Sequence, residues 1–272
     1  MAPLPSYLLP TLLSLLALDS LLEVGFIGSM VSYLHIAHHD ISFPIASTPT
    51  NPAFSLYPKP AHISVNQGHT SNGAAGTALI LVSILGALNL WVRARAAKRS
   101  ARHSASYTQV RSTSDDAGNT HTRSERKLPH SFAWLEPTWV VFTVLSWLLT
   151  LSALIYTFVV THQTAGSRID PSIAAATYAD RTGKLFPYPG DKWTPETWYK
   201  QVLTLGFVDS EEKGDIRTHL RLMQGWRWNL IPLFLLGGAV MAVAVVGWVE
   251  GRRDGGVKRE VREKHISTVS EL

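Results

Sequence analysis

Four long apolar stretches, at roughly 11–36, 74–92, 138–161 and 230–249, constrain this chain more than any motif does. A bilayer core about 30 Å thick needs about 20 helical residues at 1.5 Å each, and every stretch meets or nearly meets that length. The second, third and fourth hold no Lys, Arg, Asp or Glu between their ends. None has the charge spacing of a soluble amphipathic helix. The pattern predicts an all-α integral membrane protein, a four-transmembrane-helix bundle. The bulk composition, 46% hydrophobic, conceals this because polar loops dilute the spans.

Between the spans the chain reads as follows. Residues 1–10 form a short N-terminus, kept extended by Pro3, Pro5 and Pro10. Residues 37–73 form an irregular outer loop rich in Pro, Ser, Thr and Asn. Residues 93–137 form a basic, Ser/Thr-rich loop with too little apolar surface to offset its ordering entropy, and are expected to be disordered. Residues 250–272 form a charged tail, with a fraying helix around 258–265. The segment 162–229 differs. Asp170-Pro171 and Thr194-Pro195 read as N-caps followed by proline, Ser210 opens a third helix, and Phe186-Pro187-Tyr188-Pro189-Gly190 reads as a rigid turn. These short amphipathic helices predict a small helical extracellular or lumenal cap in the second outer loop.

Charge sets the expected orientation. Nine Lys or Arg lie between Arg93 and Lys127 against three acids, and six more follow in the tail, whereas the first outer loop has only Lys59. The positive-inside rule therefore predicts cytoplasmic termini and a cytoplasmic middle loop, in the plasma membrane or an endomembrane. The first span runs well past a signal-peptide h-region and lacks a basic n-region, so it is expected to be retained. Basic charge of this distribution points to the lipid bilayer and to anionic inner-leaflet lipids, not to nucleic acid. The absence of cysteine excludes disulfides, thiolate metal sites and cysteine lipidation.

Three constellations carry chemistry. Asp19 and Glu23 lie four residues apart on one face of the first span, where an ionised group costs at least about 2.5–3.5 kcal/mol near the bilayer centre. Asn89, nearer the cytoplasmic end of the second span, is a candidate hydrogen-bond donor. A proton or cation relay competes here with a pair that fixes helix register. His35, His38 and His39 sit at the mouth of the first span with spacing suited to a divalent metal, His62, His69 or His162 being spare ligands. The string H-x-x-H-H resembles one histidine box of membrane di-iron desaturases, but no second box follows, so interfacial histidines are the expectation. Ser104, Ser106, Ser112 and Ser114 lie beside arginines and are phosphorylation candidates, with the charge to reverse polybasic lipid contact.

No G-x-S-x-G, H-E-x-x-H or P-loop occurs, and no cofactor is expected. The aromatic and acidic groups Tyr188, Trp193, Trp198, Asp191 and Glu196 read as packing and capping residues before a carbohydrate surface. Small-xxx-small pairs (Gly25/Ser29, Ser83/Ala87, Gly238/Ala242) suit close helix packing or homo-oligomerisation. The layout is similar to that of claudin-like and MARVEL four-span families, although claudins carry first-loop cysteines that this chain lacks. The sequence thus leads to a non-enzymatic, tetraspan-like protein that organises a membrane region or complex, with a protein partner at the outer loop 162–228. The alternative is a small transporter, channel subunit or proton-linked sensor using the acids of the first span.

Overall fold

Helix dominates the computed structural model, at 77% of the chain. It describes residues 5, 7–40, 42–49, 52–111, 135–178 and 186–270. Four helices are long and apolar enough to cross a membrane, with candidate spans at Leu8–His35, Asn66–Arg99, Leu135–Thr164 and Ser210–Arg253. The elements in order are α1 (Leu8–Asp40), β1 (Phe43–Ile45), β2 (Phe54–Leu56), α2 (Asn66–Thr77), a π-helical segment (Ala78–Ile84), α3 (Leu85–Arg111), α4 (Leu135–Thr164), α5 (Pro171–Tyr178), α6 (Pro195–Val202) and α7 (Ser210–Ser270).

The helices outrun the expected boundaries. Pro10 does not hold the chain extended, because it is the third residue of α1, where a missing N–H has no intrahelical acceptor to lose. The same tolerance lets Pro137 enter the first turn of α4. Helix α3 carries the backbone well past 93 to Arg111, so the first part of the loop expected to be disordered is helical, while 112–134 lie outside the described residues. The short helix opening at Ser210, the fourth span and the tail are one helix of 61 residues, with Pro232 inside it.

The chain divides into two compact units. The first comprises 1–17, 78–146 and 237–272. Its centre is a contact between the π segment and α4. A π turn breaks the regular i→i−4 ladder and leaves carbonyls free for other donors. The Trp139 indole N–H takes one of them, donating to the Val82 carbonyl at 3.0 Å, and the Ser83 hydroxyl donates back to the Ala78 carbonyl at 2.9 Å. Gly86 lies flat against the Trp139 ring, where an added Cβ would stand 2.9 Å from Cζ2. Arg93 pairs with Glu136 at 2.9 Å, joining α3 to the start of α4.

The second unit comprises Leu18–Thr77 and Trp147–Leu236. Here the first interspan loop, expected to be irregular, contains the antiparallel hairpin β1–β2, with Phe43 opposite Leu56 and Ile45 opposite Phe54. All four side chains are buried. The two interspan loops then pair with each other. Ala46 N–H donates to the Gly206 carbonyl at 2.7 Å, Ala61 N–H to Tyr188 at 2.9 Å and Ser64 N–H to Trp193 at 2.7 Å. The expected caps are present: Asp170 accepts from the Ser172 N–H at 2.8 Å, and Thr194 and Thr197 exchange side-chain-to-backbone bonds at 3.1 and 3.0 Å, with Pro195 at the first helical position. Gly190, at φ 97°, turns the chain as the aromatic turn requires.

Trp193, Trp198 and Tyr199 are fully buried at the centre of this loop core, together with residues of α1 and α7. The Trp198 indole donates to the Pro58 carbonyl at 2.7 Å, and its ring meets that of Trp193 at 5.2 Å edge-on. The Thr197 hydroxyl donates to that of Thr164 at 3.2 Å, fastening α6 to the end of α4.

The Trp139–Gly86 contact makes opposing demands on one substitution. Gly86→Ala raises helix propensity by about 1 kcal/mol, but overpacking against a ring that its own hydrogen bond anchors costs about 1–3 kcal/mol. A lowered Tm is therefore expected in detergent; an unchanged or raised Tm would contradict the contact.

Candidate functional site

Buried positions along α1 fall at Leu13, Leu16, Ser20, Glu23, Ile27, Met30 and Leu34 in alternating steps of three and four, with Tyr33 buried beside Leu34. That spacing places them on one face of the helix, the seam along which it is buried. Glu23 sits on the seam and is fully buried, while Asp19, one turn earlier, is half-buried at its margin.

The amide that meets these acids is Asn229 of α7, not Asn89. Its Nδ2 donates to Glu23 Oε2 at 3.1 Å and lies 3.4 Å from the Asp19 carbonyl oxygen. Glu23 Oε1 and Asp19 Oδ2 are buried without a hydrogen-bond partner among the described residues. An amide neutralises no charge, so Asn229 gives Glu23 a hydrogen bond but no counter-charge. Asn89, half-buried on α3, belongs to the other unit. Asn229 lies one residue before the expected fourth span, at the end of the segment 162–229 expected to be an outer loop. The signal was the unbroken helical path from Ser210, which puts Asn229 in mid-helix.

Polar residues continue beyond this pair. The buried positions of α4 include Thr143, Ser146, Thr150, Thr157, Thr161 and Thr164. Thr143 and Thr164 hydroxyls donate to carbonyls one turn back, at 2.8 and 3.0 Å, so they need no outside partner in an apolar medium. Ser71 and Thr157 hydroxyls meet at 3.4 Å. Gln67 is buried with both amide atoms unpartnered among the described residues.

A second polar cluster lies in the loop core. Arg227 Nη2 stands 3.3 Å from Glu196 Oε1, and both side chains are largely buried, at 19% and 7% exposure. The guanidinium also lies 5.5 Å and 5.4 Å from the ring centres of Phe158 and Trp228. Burial pushes the Glu196 carboxyl above the usual carboxylate range, and Arg227 and then Lys200 pull it back. Near the end of α1, Tyr33 stacks on His219 at 3.7 Å, with Asp215 Oδ1 3.3 Å from His219 Nδ1.

The remaining candidates separate. Helix α1 carries His35, His38 and His39, but the side chains of His38 and His39 lie outside the described residues. His35, His62, His69 and His162 are exposed, and no group of three metal-ligating residues forms among the described residues. Ser104 and Ser106 lie on the α3 backbone, and Ser112 and Ser114 lie outside the described residues. Tyr188, Trp193, Trp198 and Glu196 are all buried, and Asp191 is exposed. Comparison with protein-family models, curated proteins and solved structures finds no match to this chain.

The Glu196–Arg227 pair generates a pH-dependent prediction. Arg227→Met keeps the apolar stem but leaves a buried carboxyl without its main partner, costing about 2 kcal/mol at pH 8. As pH falls toward 5 the folded variant takes up a proton that the unfolded chain does not, so part of the loss is recovered. Tm measured at both pH values should show the larger deficit at pH 8; equal deficits would refute the pairing.

Proposed function

We propose that the protein is a non-enzymatic, tetraspan-like membrane protein that organises a membrane region or complex by presenting its loop core to a protein partner. The observation that carries this reading is the loop core itself. Two loops far apart in sequence are paired backbone to backbone around Trp193, Trp198 and Tyr199. Chain segments ordered to this degree present a fixed surface, which lowers the entropic cost of binding. In this reading the termini are cytoplasmic, the core of 162–228 with its hairpin is the extracellular or lumenal cap, and the four spans form one bundle. The basic segments near 93–127 and 252–264 contact anionic inner-leaflet lipids, and homo-oligomerisation through small-residue faces fits the same role.

The buried Glu23, with one oxygen unpartnered among the described residues, favours a second reading as a proton-linked sensor or transporter. The two readings part on flux and assembly. In vesicles, the organiser shows no proton or cation flux. Trp198→Ala, which removes the core's central ring, converts its discrete complex to a smaller species on native gels while insertion persists. Flux that Asp19→Asn/Glu23→Gln abolishes at unchanged protein level would overturn the organiser and install the second reading.

A further inference from the structure

Within the first unit, helices α4 and α7 leave a groove of about 300 Å³ between them. Val140, Val141, Val144 and Leu145 form one wall, Val245 and Trp248 the other, and no polar atom lines it. Such a volume is at the small end for a ligand site and suits a slender apolar chain. One helical turn beyond Trp248, the Arg252 guanidinium stacks 4.3 Å from the Trp248 ring centre. Arg252 is exposed and makes no ion pair among the described residues, and Arg253 follows it. By contrast Arg93, in the same unit, is already occupied by Glu136 at 2.9 Å.

We propose that this groove binds one anionic glycerophospholipid, with an acyl chain along the valines and the headgroup phosphate on Arg252. The rise of about 6 Å over four helical residues places a cation where a chain seated against Trp248 must end in its polar head. Charge selects the lipid. A guanidinium with free N–H groups binds a phosphate bidentately, and a second arginine beside it favours a net-negative headgroup over one carrying choline. A soluble or peptide partner is disfavoured because the walls offer no hydrogen-bonding group to a peptide backbone. This inference rests on the membrane-spanning reading and names one lipid site within it.

The test uses the full chain in lipid nanodiscs with photoactivatable phosphatidylserine or phosphatidylcholine, the adducts mapped by peptide mass spectrometry. Adducts at 140–145 and 245–248 should favour the serine lipid by about fivefold, the ratio that one basic residue near an anionic surface supplies. Val144→Trp, which fills the groove, should remove these adducts while labelling at 155–159 persists. Arg252→Gln, which removes the cation stacked on Trp248 but leaves the apolar walls of the groove in place, should keep the adducts and lower the ratio toward unity. Equal labelling by both lipids in the wild type, or an unchanged ratio in Arg252→Gln, would overturn the site. Absence of adducts from all four long helices would instead defeat the membrane-spanning reading itself.

Discussion

Hydrocarbon offers no hydrogen bonds, so a chain that crosses it must satisfy every polar group internally and cannot rely on hydrophobic collapse to hold helices together. The burial pattern follows that constraint closely. Leu15, Leu18, Leu21 and Leu22 of α1 are exposed, as are Val141, Leu145, Leu148, Ile155 and Val159 of α4. Ser20, Glu23, Thr143, Thr150 and Thr157 are buried. A soluble helix would reverse this arrangement. Small polar side chains at the seam bring backbones close and bond to their own helix, and the few longer-range bonds then fix which faces meet. Trp139 on Val82 does so in one unit and Asn229 on Glu23 in the other.

The loop core obeys the opposite logic. It buries large aromatic rings, caps its short helices with Thr and Asp, and pairs strand segments, as a water-exposed fold does. Glu196 and Arg227 lie where these regimes adjoin in sequence, on α6 and just before the apolar run of α7. A partly buried ion pair there keeps α6 attached to α7 while its charges remain compensated. The organiser reading draws on this division, since the helices are suited to lipid and the core to a partner.

Legibility in the sequence tracked how local each interaction is. The four apolar helices could be read because hydropathy over 20 residues is a local property, and the caps at Asp170 and Thr194 because they span three residues. The β1–β2 hairpin could not, because its strands are three residues long and one contains Pro44. Its backbone partners outside the hairpin lie at 206–208, more than a hundred residues away. Glu23 was found as a costly residue in a span, whereas its partner was mistaken. Asn89 and Asn229 look alike in sequence, and only the seam geometry of α1 and α7 selects Asn229. The π segment gave no signal at all, because its tie to the rest of the fold is a long-range bond, from the Trp139 indole to the Val82 carbonyl.

The chain has no cysteine, so single cysteines can be placed along α4 without disturbing a native thiol. Spin labels at successive positions from 141 to 159, in vesicles, report accessibility to oxygen, which partitions into lipid, and to a water-soluble nickel chelate. Accessibility should oscillate with the helical period: oxygen reaches labels at Val141, Leu145, Leu148, Ile155 and Val159, and neither reagent reaches Thr143, Ser146, Thr150 or Thr157. Nickel access at the valines and leucines, or oxygen access at the threonine seam, would contradict the inverted polarity on which the rest depends.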